Sequence, residues 1–107
     1  MSSEITQVLE VRGSRYGDFR EHARITQRIK AAMADSPNWA KLPPYQREAL
    51  EMIAHKVGRM LNGDPTYEDN LIDILGYGQL ALDDTRADNK TEENLASHAS
   101  KVQKPKR

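Results

Sequence analysis

The sequence predicts an all-α fold, a bundle of three main helices and a short terminal one, assembled as an oligomer. Three observations carry that expectation. Apolar residues recur at helical spacing in three long stretches. Each stretch is bounded by residues suited to open or end a helix. A composition of 37% hydrophobic and 30% charged residues suits a folded helical chain better than a disordered one. At 107 residues the length supports one small domain, whose core stays modest unless helices pair with another copy.

Residues 1–11 carry Ile5, Val8, Leu9 and Val11 at a weak helical spacing, enough for one or two turns against the body. A loop from Arg12 to Phe19 follows, in which Gly13 and Gly17 stand among two arginines and two aromatics. It admits two readings. In one, the glycines permit positive φ at a turn and Asp18 caps a helix. In the other, Arg12 and Arg15 approach a phosphate, glycine lets the backbone come close, and Tyr16 or Phe19 stacks on a base. Asp18 and Glu21 have capping-box spacing, so the first long helix is expected from about Phe19 to Ala34, with Ile25, Ile29, Ala32 and Met33 as its core stripe. Ser36-Pro37 ends it. Trp39 then lies in a connection, as a core plug or a stacking surface.

The second long helix is expected from Pro44, whose missing N–H costs nothing at a first position, to Asn62, with Gly63 as terminator. Glu48, Glu51, His55, Arg59 and Asn62 fall in one stripe about 80° wide. Ala49, Leu50, Ile53, Val57, Met60 and Leu61 lie opposite. Asp64 or Thr66 caps a third helix over about Tyr67 to Asp83, on which Asn70, Asp73 and Tyr77 form a polar line and Leu71, Leu75, Gly78 and Leu82 an apolar one. Gly76 and Gly78 would each cost about 1 kcal/mol relative to alanine there, which close approach of a partner helix or a ligand would offset. A polar break is expected after Asp83-Asp84, then a short helix from Thr91 and a disordered end from Lys101. Residues 1–85 thus form the helical body and residues 86–107 a polar, basic tail.

The acidic lines suggest chemistry. Glu48 and Glu51 stand three apart, so their side chains can converge on one cation, and Asp73 with Asn70 could complete an all-oxygen shell. Magnesium prefers such a shell and manganese accepts it. A metal so held polarises a phosphoryl oxygen and lowers the pKa of bound water, while Lys56 and Arg59 neutralise charge on a triphosphate. The plain alternative is a solvated helix face, with Glu48, Glu51 and Arg59 in helix ion pairs, His55 a surface or packed histidine, and Tyr77 either core or a stacking platform.

Composition excludes some classes. The absence of cysteine rules out a disulfide framework and any thiolate zinc site. No apolar run approaches the roughly 20 residues of a membrane helix, so no membrane partner is expected and a cytoplasmic location is. Residues 1–85 hold ten Lys/Arg against thirteen Asp/Glu, whereas residues 86–107 hold six against three. An acidic body argues against a nucleic-acid surface, which needs clustered positive charge.

Taken together, Arg12-Gly-x-x-Tyr16-Gly17-x-Phe19, Glu48-x-x-Glu51, Lys56-x-x-Arg59, Asn62-Gly63-Asp64-Pro65 and Asp69-Asn70-x-x-Asp73-Ile-x-Gly76-Tyr77 resemble the MazG-like branch of the all-α nucleoside triphosphate pyrophosphohydrolases. They are most similar to a small phage-associated subgroup of (d)GTP diphosphohydrolases, so a phage-encoded copy would work in the host cytoplasm. The resemblance spans about residues 10–85. It implies helical dimers or tetramers, dependence on Mg²⁺ or Mn²⁺, and cleavage of a triphosphate such as dGTP or dATP between the α and β phosphates. A metal-activated water would attack and pyrophosphate would leave. Carried over by position, Glu48 and Glu51 match the first metal pair and Asp73 the closing aspartate, with Asn70 where the wider family has a glutamate. The catalytic set is then Glu48, Glu51 and Lys56, and the metal set Glu48, Glu51, Asn70 and Asp73. Substrate contacts would come from Arg12, Tyr16, Gly17, Phe19, Lys56, Arg59, Asn70 and Tyr77. The alternatives are a non-catalytic helical interaction protein and a small nucleic-acid binder using the basic tail.

Overall fold

The computed structural model describes residues 3–102, with side chains through Ala96. Among these the chain is entirely helical, built as α1 (Glu4–Tyr16), α2 (Phe19–Ala34), a 3-10 turn (Trp39–Lys41), α3 (Pro44–Asn62) and α4 (Asp69–Val102). The all-α expectation is met. Central α3 packs on α2 along one side and on α4 along another, while α1 lies across the α2–α3 pair. The molecule is elongated, 73 × 26 × 24 Å.

Local signals explain the middle of the chain. The Asp18 carboxylate accepts from the Glu21 N–H at 3.2 Å and opens α2. Only half of the capping box forms, because the Glu21 carboxylate pairs with Arg24 instead of reaching back. Pro44 opens α3, and Gly63 closes it with its N–H on Arg59 O.

The two ends differ from expectation. α1 continues through Arg12–Tyr16, so the expected loop shrinks to Gly17 and Asp18. Ser3 caps its start, and Gly17 ends it at φ 79° with its N–H on Gly13 O at 2.9 Å. At the other end α4 starts at Asp69, after an Asp64 turn in which Thr66 donates its N–H and hydroxyl to the Asp64 carboxylate. It then runs through the expected break at 84–90 without interruption. No Gly or Pro falls between Gln79 and Lys101 to stop it. Gln46 to Thr85 (2.8 Å) and Tyr45 to Asp88 (2.6 Å) tie this stretch to α3. The boundary expected at residue 85 is therefore not a structural break, and residues 103–107 of the expected disordered end lie outside the described ones.

The faces differ too. On α4 the expected polar line turns inward: Asn70 is 1% exposed, and Asp73 meets Lys56 of α3 at 2.9 Å. The expected apolar line is exposed, with Leu71, Leu75 and Leu82 in solvent and Leu75 at 73%. No atom outside the helix's own backbone approaches a Cβ built at Gly76 or Gly78 within 4 Å. Periodicity groups residues by face but does not say which face is covered, and here a buried lysine draws the polar one in. On α2 the fully buried residues are His22 and Thr26, not the expected isoleucine stripe. The buried apolar core of the described chain is confined to Ala49 and Ala54. Trp39 is half-buried in the 3-10 turn.

Candidate functional site

Where α1, the α2 N-terminus and α3 meet, they form a half-open cavity of about 540 Å³. Its wall takes Arg12, Tyr16, Gly17 and Phe19 from the segment around the α1–α2 corner and Arg59 from α3, all expected as substrate contacts. The rest is apolar Ile5, Val8 and Leu9, together with Gly13, Asp18, His22 and His55.

Two stacked arrangements shape it. The Arg59 guanidinium lies 3.9 Å from the centroid of the Tyr16 ring, Tyr67 meets that ring edge-on at 6.0 Å, and Arg15 sits 4.5 Å over Tyr67. Each cation rests on the electron-rich face of a ring. Tyr16 therefore positions Arg59, and Phe19, its ring tilted against His22 at 6.2 Å but 77% exposed, presents the most open ring face on the cavity. Arg12, on the same wall as Asp18, forms no ion pair among the described residues.

Deeper in, His22 of α2 and His55 of α3 meet edge to face, with Nε2 and Nδ1 3.4 Å apart and Thr26 Oγ1 3.4 Å from His22. Gly58 makes this approach possible, since a Cβ there would overlap Thr26 Oγ1. His22 Nδ1 lies over Gly58 without completing a hydrogen bond. Burial, with Arg59, His22, Lys56 and Lys30 adding repulsion, pushes His55 down to about 4. Burial lowers His22 as well, with Arg59 and Lys30 contributing and the nearby Gly58 backbone partly opposing. Both rings are neutral at pH 7. The unfolded chain then takes up protons first as pH falls, so the stability held by the neutral pair is full above the ordinary histidine value and is lost on the way down to about 4. The urea midpoint is expected to drop between about pH 7 and pH 4.5, and His55→Gln to flatten that drop. An equally steep drop in the variant would contradict this.

The other expected site residues lie elsewhere. Glu48 is exposed and Glu51 half-buried on α3. Lys56, 8% exposed, is committed to Asp73 rather than to the cavity. Asn70 is enclosed, with Nδ2 lacking a hydrogen-bond partner, and Tyr77 is half-buried on the same side of α4. Among the described residues no three acidic, histidine or cysteine side chains are grouped to hold a metal ion. Oxygen donors of the right kind are present, but one chain as folded does not arrange them into a magnesium or manganese shell.

His22 was missed from sequence, although His22, Thr26, Ile29 and Met33 share one α2 face at spacings of four, three and four. The chain matches no family model, no curated protein and no solved structure. The class defined by fold and site is accordingly an all-α bundle with a cationic, aromatic cavity at one helix corner. No helix among the described residues is long and apolar enough to cross a membrane.

Proposed function

We propose that this chain is a nucleoside triphosphate diphosphohydrolase, which cleaves (deoxy)nucleoside triphosphates, preferably dGTP or dATP, between the α and β phosphates to a monophosphate and pyrophosphate. The observation that carries the reading is that Arg59, forty residues further along the chain, joins Arg12, Tyr16, Gly17 and Phe19 of the α1–α2 corner on one cavity. Its volume of about 540 Å³ falls in the range of small-ligand pockets. In this reading Arg12 and Arg59 bind phosphate oxygens, Phe19 stacks on the base, and the apolar α1 residues exclude water from one side.

Dependence on Mg²⁺ or Mn²⁺ belongs to the reading through the resemblance alone, because the arrangement of Glu48, Glu51, Asn70 and Asp73 within one chain does not support it. The same reading includes a homodimer or homotetramer. The two-alanine core and the exposed line of Leu71, Leu75 and Leu82 favour a second copy covering α4. That line also favours a second reading, a non-catalytic helical interaction module, in which Glu51→Ala and Asp73→Asn leave the activity intact.

Incubation with each triphosphate, with Mg²⁺, with Mn²⁺ and with chelator, tests the proposal when pyrophosphate and monophosphate are followed together. Both products should rise in step. Orthophosphate as first product would contradict the bond cleaved, and no turnover of any nucleotide with either ion would remove the enzyme reading. Light scattering on the same sample should give two or four copies.

A further inference from the structure

We propose that Asn62 is the positioning residue of the cavity: its side-chain amide, clamped across the α1–α2 corner, holds Tyr16 under Arg59. The last carbonyls of a helix have no intrahelical partner and must find donors elsewhere. At the end of α1 those donors come from the end of α3. Asn62 Nδ2 spends one hydrogen on Tyr16 O at 2.9 Å and the other on Asp18 O at 2.8 Å, so it straddles Gly17. The next donor along, Asp64 N–H, takes Arg15 O at 2.7 Å.

The clamp leaves no room on either side. A Cβ on Gly17 would overlap Asn62 O, and one on Gly63 would overlap Arg15 O and Tyr16 Cα. Gly17 also holds φ 79°, a conformation that L side chains disfavour. The corner is thus set by contact with Asn62 and its neighbours rather than by local preference alone. Tyr16 leaves the corner directly into its stack with Arg59 at 3.9 Å, and Arg59 is one turn before Asn62 on α3. Both ends of the Tyr16–Arg59 contact are therefore referred to the same residue.

The chemistry selects asparagine. Two carbonyls on either side of one residue, Tyr16 O and Asp18 O, the latter also accepting the His22 N–H at 3.0 Å, are bridged by two N–H groups on a single short arm, which the amide supplies. Aspartate has the same shape and no donor, and it would place a carboxylate against two carbonyl oxygens. Serine has one donor.

The test compares Asn62→Asp and Asn62→Ser with Gln46→Ala, which removes the hydrogen bond to Thr85 far from the corner. The first readout needs no ligand: the Tyr16 ring and Arg59 side-chain resonances. Both Asn62 variants should move them toward free-side-chain values, Asp more than Ser, with helicity retained, while Gln46→Ala leaves them in place. The second rests on the nucleotide reading above: the Kd of a non-hydrolysable triphosphate should weaken about tenfold or more in Asn62→Asp, since a misaligned Arg59 loses its charge-assisted contact to phosphate. If Asn62→Asp does not fold, Asn62→Ser decides alone. Unmoved Tyr16 and Arg59 resonances, or a Kd within about twofold of wild type, would overturn the proposal. A wild-type chain that binds no triphosphate would sink the nucleotide reading instead, and the resonance comparison would still judge Asn62.

Discussion

Gly63→Ala is expected to destabilise the chain by about 3 kcal/mol, as an overpacked position with no flexible neighbour to yield. The added methyl would meet Arg15 O and the Tyr16 Cα, which are backbone atoms of α1, so α1 and the end of α3 must part. Gly63 has φ −115° and ψ −142°, outside the main α and β regions, so a backbone cost for alanine adds to the clash. Separation would also strip the Asp64 N–H from Arg15 O and both Asn62 donors from the corner. A urea titration measures the cost. A shift below about 0.5 kcal/mol, typical of unremarkable surface changes, would mean that the helices do not approach this closely.

Asp73→Ala is expected to cost about 2 kcal/mol. Lys56 is enclosed between α3 and α4 with Asp73 as its counter-ion, and removing one member of a fully buried pair costs about 3–5 kcal/mol because the other charge stays behind. The Asp73 side chain is 42% exposed, so water can reach part of the site and the expected loss is discounted accordingly. Replacing both partners, Lys56→Met with Asp73→Leu, should recover most of the stability, since two apolar groups leave no stranded charge. Recovery in the double variant separates the ion pair's packing role from any role in turnover: a chain that regains stability and stays inactive needs Lys56, Asp73 or both for more than packing. Equal stability of Asp73→Ala and wild type would contradict the enclosed lysine.

Much of the middle of the fold was legible because its signals are local. Asp18, Pro44 and Gly63 each act within a few residues, and α2 and α3 begin and end where those residues dictate. α4 was misjudged because its continuity past Asp84 rests on ties to Gln46 and Tyr45, which lie some forty residues away and leave no mark on local spacing. The faces were misjudged for a related reason. Asn70 and Asp73 look like a surface line until Lys56 is placed opposite, and only the packing of α3 on α4 does that. Of the cavity, the convergence of Arg12, Tyr16, Gly17, Phe19 and Arg59 could be anticipated from the motif, and Ile5, Val8 and Leu9 were expected on helical turns against the body, whereas their joining the same cavity was not, because it depends on α1 continuing through Tyr16 to the corner. The expected meeting of Glu48 and Glu51 with Asp73 asked two helix faces to approach in a way that the Lys56 pair, within one chain, replaces.

Calorimetric titration of the wild-type chain with a non-hydrolysable purine deoxynucleoside triphosphate, repeated with Arg12→Ala and Arg59→Ala, tests the cavity most directly. The account predicts one site per chain, weakened about tenfold or more by either substitution, since each removes a charge-assisted contact to phosphate. Absence of binding in the wild type, or binding that neither arginine affects, would contradict it.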